Sequence, residues 1–266
     1  MPTTRTPRAW RALRSRWVPC PVMNQKVLVA IPAYNEAETV GDVIREVHAA
    51  LPDVAILVVD DGSKDATTQA AKEAGARVAT LPYNMGIGGA LRTAFVYARD
   101  HNYDVMVQVD ADGQHDPASV ADLVAALDDA DIVIGSRFED GNYHVRGPRK
   151  WAMYVLRKSL SRVTKTELTD ATSGFRASSR PAIELFAEYF PSEYLGDCVD
   201  STVIASRVGL RYKQIPAKIR PRQGGTPSQN ALKSTLHLGR AVLAISIALA
   251  KRPPAGFGPQ TSGETS

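Results

Sequence analysis

The chain has 266 residues, 44% of them apolar, enough to bury one substantial core with at most a small appendage. Its formal charge is +4, and five arginines (Arg5, Arg8, Arg11, Arg14 and Arg16) fall in the first 22 positions. The near-neutral body argues against a nucleic-acid protein, and two distant cysteines, Cys20 and Cys198, without a disulfide framework fit a reducing cytoplasm.

Residues 1–22 lack the long apolar core of a secretory signal. Trp10, Leu13 and Trp17 could share a helical face among the arginines, as in an interfacial anchor, but Met23 right before the first strand favours reading residues 1–22 as a basic, flexible or mis-started extension. From Lys26, short β-branched runs alternate with helical stretches: KVLVAI, AILVVD, ARVATL, DVMVQVD and DIVIGS each precede a turn and, for the first four, a helix. Five such units predict an α/β fold with a mostly parallel sheet and helices on both faces. Val40, Val43, Ile44, Val47 and Leu51 hold the helical period in the first helix. Asp116 followed by Pro117 marks the start of the helix after the fourth strand.

Beyond Ser136 the pattern becomes irregular to Pro148, followed by a basic helix near Trp151, the segment TDATSGFRASS, helical patterns near 180–190 and 199–208, a strand RYKQI and the basic loop IRPRQGGTPSQ. The last periodic segment, 231–252, carries the apolar run Ala241–Ala250 together with Lys233, His237 and Arg240. Spanning a bilayer would bury Arg240 at a cost of about 2.5–3.5 kcal/mol, and no run of about 18 apolar residues exists, so this helix is expected to lie in an interface or pack on the protein. Residues 253–266 have the composition of a disordered tail.

In such a sheet, ligands gather at the carboxyl ends of the strands. Those ends carry Pro32-Ala-Tyr34-Asn-Glu36, Asp60-Asp61-Gly-Ser63 with Asp65, Asp110-Ala-Asp112-Gly-Gln114, and Gly135-Ser136-Arg137. Carboxylates crowded along one edge repel unless cations or hydrogen-bond donors lie among them. Asp110 and Asp112, two residues apart at a turn, can reach one hard divalent ion and leave its other positions to diphosphate oxygens and water, with Gln114 adding a neutral oxygen. A haloacid-dehalogenase phosphatase also begins with such an acid pair, but near the start of its domain and with Thr or Val where Gln114 stands. The glycines of Asn84-Met-Gly86-Ile-Gly88-Gly89 follow the third strand, not the first, which disfavours a Rossmann cofactor site and leaves close chain packing as their use.

The ordered set VAIPAYNEAETV, VVDDGSKDAT, NMGIGGALRTAF, VQVDADGQHDP, DIVIGSRF and DATSGFRA resembles the family 2 glycosyltransferases, in the branch of dolichyl-phosphate mannosyltransferase and its bacterial polyprenyl-phosphate relatives. The resemblance runs from about Lys26 to Ser228. It implies a GT-A domain over 23–230, an inverting mechanism, Mg2+ or Mn2+, and transfer of a hexose from a GDP-mannose or UDP-glucose type donor to a polyprenyl phosphate of the cell envelope. The implied place is the inner face of the cell membrane, held peripherally by terminal segments or by a small membrane subunit, with homo-oligomerisation left open.

Carried over by residue, the resemblance gives Pro32, Tyr34 and Glu36 to the nucleotide and Asp61 to its base, with Asp110 and Asp112 contacting donor and metal and Gln114 completing the metal site. Arg137, Arg149, Lys150, Arg220 or Arg222, and Ser228 are the expected phosphate-holding residues of donor or acceptor. Relatives often read RRLGSR where this chain has RKWAMY, which alters part of that acceptor clamp. A phosphate acceptor needs no general base, being largely dianionic at neutral pH. A hydroxyl acceptor needs one, for which Asp197 is the first candidate and Asp200 the second. A silent sugar-nucleotide-binding scaffold is disfavoured by the intact acid pair, and a nucleotidyltransferase by the missing glycine- and lysine-rich opening loop.

Overall fold

The computed structural model describes residues 25–136, 148–170, 173–191 and 197–221. The segments read as extension, C-terminal helix and tail therefore lie outside the described residues. The elements are β1 (Val27–Ala33), α1 (Val40–Ala50), β2 (Ala55–Asp60), α2 (Thr67–Glu73), β3 (Arg77–Thr80), α3 (Gly86–Asp100) and β4 (Val105–Gln108). They continue with α4 (Val120–Ala125), β5 (Ile132–Ser136), α5 (Pro148–Thr164), β6 (Arg176–Ser179), α6 (Arg180–Tyr189), α7 (Asp197–Arg207) and β7 (Tyr212–Pro216).

One seven-stranded sheet has the order β3-β2-β1-β4-β6-β5-β7. β1 pairs parallel with β2 and β4, β2 with β3, and β5 with β7, as the alternating pattern predicts. β6 runs antiparallel between β4 and β5, a strand that the polar sequence RASS does not announce.

Every residue of β1 is buried, and its period of two divides them between two cores. Leu28 and Ala30 join Leu91, Phe95, Leu160, Ile183 and Val203 under α3, α5, α6 and α7. Val27, Val29 and Ile31 face Val40, Ile44, Val47, Val120 and Leu123 under α1 and α4. The apolar stripe of α1 is thus buried as its spacing requires. Asp116 caps a 3-10 turn, Pro117–Ser119, by accepting the Ala118 amide at 3.1 Å, and α4 follows directly. Burial of both faces fixes the register, so the carboxyl ends of β1, β2 and β4 share one edge.

Candidate active site at the carboxyl edge of the sheet

The loops after β1 and β2 are laced together. Asn35, with φ 54°, donates its amide to Ser63 Oγ at 2.9 Å and accepts the Lys64 amide at 2.9 Å. The Glu36 amide donates to Thr67 Oγ1 at 2.9 Å, and the Ala37 amide to Asp65 Oδ2 at 3.1 Å. Glu36 accepts Thr39 Oγ1 at 3.0 Å through its carboxylate, Pro32 is buried opposite Val59, and Tyr34 is exposed. Asp60 is buried, accepting the Ser63 amide at 2.9 Å and the Thr68 hydroxyl.

Asp61 is also buried, and each carboxylate oxygen takes one backbone amide, Met85 at 2.7 Å and Gly86 at 2.8 Å, at the start of α3. A carboxylate at a helix N-terminus accepts from amides that have no intrahelical partner and complements the helix dipole. Burial nevertheless raises the Asp61 pKa above its ordinary value, against the lowering effect of the two amides and with a further push from Asp60. The chain comes this close because Gly62 (φ 73°) lies under Tyr83: a Cβ there would stand 2.8 Å from the Tyr83 carbonyl carbon. The glycine-rich turn is thereby docked onto the β2 loop.

After β4, Val109 donates its amide to Ala30 O at 3.0 Å, which carries Asp110 and Asp112 past the end of the sheet. The side chain of Asp110 is 37% exposed, and Oδ1 accepts Gln108 Nε2 at 3.1 Å. Its backbone amide donates to Nδ1 of the buried His115 at 3.1 Å, while His115 Nε2 lies 3.6 Å from Asp110 Oδ2. The imidazole stacks on Phe175 with centroids 4.7 Å apart and planes within 14°. Gly174 packs against the carboxylate: a Cβ at that position would lie 3.0 and 3.1 Å from the two Asp110 oxygens. Asp112 is buried and accepts the Gln114 amide at 3.0 Å through Oδ1. Gln114 is half-buried, and its carbonyl accepts the Arg220 amide at 2.8 Å.

Two carboxylates held this way present hard oxygen donors suited to Mg2+ or Mn2+. Among the described residues no cluster of three or more His, Cys, Asp or Glu side chains is placed to hold a metal. Two protein carboxylates with substrate phosphates and water completing the shell is the usual mode for Mg2+. The residues therefore fit a cation that arrives with a diphosphate.

The basic residues divide. Arg220 donates to Glu46 Oε2 at 2.6 Å and to Asp116 Oδ1 at 2.9 Å, so its guanidinium ties the segment following β7 to α1 and to the acid-pair loop. Arg220, expected with Arg222 as an alternative in the phosphate-holding set, is thus paired with two carboxylates in this structure. Beside this link, His115 of the acid-pair loop and Ile219 form a β-bridge. Arg149, Lys150 and Asp197 sit in α5 and α7, but their side chains are not among those described; Arg137, Arg222 and Ser228 lie outside the described residues. His115, Gly174 and Phe175 are the site residues that sequence reasoning missed, although all three lie inside motifs that were legible.

An α/β sheet with a braced acid pair at the carboxyl edge and an adjoining loop cluster has the layout in which open α/β folds take up their ligands. Residues 28–186 match the family described as Glycosyl transferase family 2. The chain is 34% identical over 210 residues to the undecaprenyl-phosphate mannosyltransferase of Micrococcus luteus, covering 75% of this chain and 86% of that one. It is 33% identical over 214 residues to the polyprenol monophosphomannose synthase of Mycolicibacterium smegmatis, covering 76% and 80%. The fold also matches glucosyl-3-phosphoglycerate synthase from Mycobacterium tuberculosis, solved with Mn2+, UDP-glucose and phosphoglyceric acid, with TM-score 0.63 and 22% identity over 87% of this chain and 82% of that one. The chain belongs to the family 2 glycosyltransferases and has their GT-A type of fold. No helix among the described residues is long and apolar enough to cross a membrane.

Proposed function

We propose that the chain is an inverting, divalent-metal-dependent transferase that moves a hexose from a GDP-mannose or UDP-glucose type donor to a polyprenyl phosphate, working peripherally at the inner membrane face. The observation that carries this reading is the acid pair Asp110/Asp112, braced by Gln108, His115, Gly174 and Gln114 on the edge shared with the Pro32–Glu36 and Asp60–Asp65 loops. The acceptor class follows from relatives named for undecaprenyl and polyprenol phosphates that align over three quarters of this chain.

In this mechanism Pro32, Tyr34, Glu36 and Asp61 bind the nucleotide, and Asp110, Asp112 and Gln114 hold the cation. When bound, Mg2+ or Mn2+ offsets the charge that builds on the leaving nucleoside diphosphate. The acceptor phosphate is a dianion near neutral pH, its second pKa being about 6, so it attacks without a base. Bringing it to the donor opposes like charges, about 4 kcal/mol for unit anions at 4 Å and an effective dielectric of 20. Arg137, Arg149, Lys150, Arg222 and Ser228 supply the offsetting contacts in this reading, without Arg220.

The test is lipid extraction of a radiolabelled sugar product with and without chelator, for the native chain and for Asp110→Ala/Asp112→Ala. Label in the lipid phase that vanishes on chelation and in the variant is expected; label confined to water-soluble glycan would overturn the acceptor assignment. In that event Asp197→Asn should abolish turnover, whereas a phosphate acceptor leaves the variant active.

A further inference from the structure

A groove of about 570 Å³ runs along α5, lined by Tyr154, Arg157, Lys158, Arg162 and Lys165 and closed by Glu167. From Tyr154 to Arg162, with Ser161, these residues follow the spacing i, i+3, i+4, i+7 and i+8, one helical face, and Lys165 lines the same groove one residue past α5, where the backbone turns to φ 54°. Leu156 and Leu160, on the opposite face, are buried in the core. All four cations are exposed, and among them stands one acid, with Glu167 Oε1 3.9 Å from Arg157. Tyr154 is 53% exposed, with Lys158 Nζ 5.8 Å from its ring centroid.

This face is separate from the catalytic edge. Thr166 Oγ1 donates to Tyr212 O at 3.0 Å, which places the groove's far end at the amino ends of β5 and β7, opposite Asp110. We infer that the basic face of α5 is the surface by which the chain lies on an anionic phospholipid bilayer. Four like charges in one stripe beside an amphipathic tyrosine match a headgroup layer, where cations near an anionic surface bind additively. The chain's own termini do not complement it. Residues 1–24 carry five arginines and no acid, and residues 222–266 carry Arg222, Lys233, Arg240, Lys251 and Arg252 against Glu264 alone. α5 spans about 25 Å at 1.5 Å per residue, and it begins with Arg149 and Lys150, which the proposed function gives to the acceptor phosphate. Laid along the bilayer, one helix would join the membrane contact to the acceptor site. The inference rests on the polyprenyl-phosphate reading for its purpose but not for its test.

The full chain is sedimented with phosphatidylcholine vesicles with and without phosphatidylglycerol, beside Arg157→Gln/Lys158→Gln/Arg162→Gln/Lys165→Gln and the milder Lys158→Gln/Arg162→Gln. Transfer to a short, water-soluble isoprenyl phosphate is measured in parallel. Expected are binding that needs phosphatidylglycerol and weakens with salt, a loss of at least about tenfold in partitioning for the fourfold variant, a smaller loss for the double variant, and unchanged transfer to the soluble acceptor. No binding by the native chain, equal binding by both variants, or retention on heparin without retention on vesicles would each overturn the assignment. Charge-dependent vesicle binding without transfer to any isoprenyl phosphate would uphold the surface and sink the proposed acceptor instead.

Discussion

His115 accepts the backbone N–H of Asp110 through Nδ1 and sets its Nε2 3.6 Å from Oδ2 of the same residue. An imidazole that accepts at Nδ1 carries its proton on Nε2 when neutral, so the ring braces the main chain of the first acid and turns its N–H toward that residue's carboxylate. Its stacking on Phe175 fixes the ring plane.

Replacing His115 by Ala should leave the Asp110 amide without its acceptor and loosen the main chain that carries the carboxylate. A loss of about 1–3 kcal/mol in stability is expected from the unpaired amide. Removing a group that orients a metal ligand commonly costs 10–100-fold in affinity, so Mn2+ binding by calorimetry should weaken by about that factor. Unchanged Mn2+ affinity in a folded His115→Ala protein would leave His115 with a packing role alone.

Gly174→Ala probes the same carboxylate from the other side. The added methyl would meet Gln108 Nε2 at 2.9 Å and both Asp110 oxygens at 3.0–3.1 Å, all side-chain atoms that can give by a few tenths of an ångström. The backbone is therefore expected to tolerate the change while the acid pair shifts. Turnover should fall about tenfold or more with little change in Tm, since sub-ångström misplacement is costly where geometry carries the catalysis. Steady-state kinetics beside a thermal melt separates this from global destabilisation.

Asp61 gives a pH signature. Burial lifts its folded pKa above the unfolded value of 3.8, against the pull of the Met85 and Gly86 amides. Its contribution to stability is thus full below about pH 3.8 and is lost as pH rises through the folded pKa. Asp61→Asn removes the titration and turns an amide donor toward one of the two backbone N–H groups, costing about 1–3 kcal/mol. The stability of the native chain relative to the variant should decline as pH rises through this window and level off above it, read from urea midpoints at several pH values. A difference that grows with pH would mean the amides outweigh the burial.

Much of this was legible because single residues carry local signals. The buried parallel strands show as β-branched runs, α1 as a helical stripe, and Asp110/Asp112 as acids ending an apolar strand. β6 was not legible: Arg-Ala-Ser-Ser has little strand propensity, and Ala177 and Ser178 are strand residues because β4 and β5 flank them. His115 reads as an ordinary polar residue until Phe175, 60 positions on, supplies the ring it stacks against. Asp61 shows as a strand-end acid, but the sequence does not reveal that Met85 and Gly86 occupy both of its oxygens.

In IRPR, Arg220 looks equivalent to Arg222. In the structure the Arg220 guanidinium bridges Glu46 and Asp116, whose side chain is 15% exposed, while its own amide holds Gln114 O, which makes it a scaffold residue in this reading. Arg220→Ala should therefore lower stability by about 1 kcal/mol, the pair being partly solvated, and leave the KM of both substrates near the native value. Arg222→Ala should behave oppositely, with unchanged Tm and a raised KM for the acceptor, because a lost phosphate contact removes binding and not scaffold. Parallel melts and acceptor titrations of the two variants decide it: a raised acceptor KM with a native Tm in Arg220→Ala would return Arg220 to the phosphate-binding set, and the salt link to Glu46 would then be one that breaks on binding.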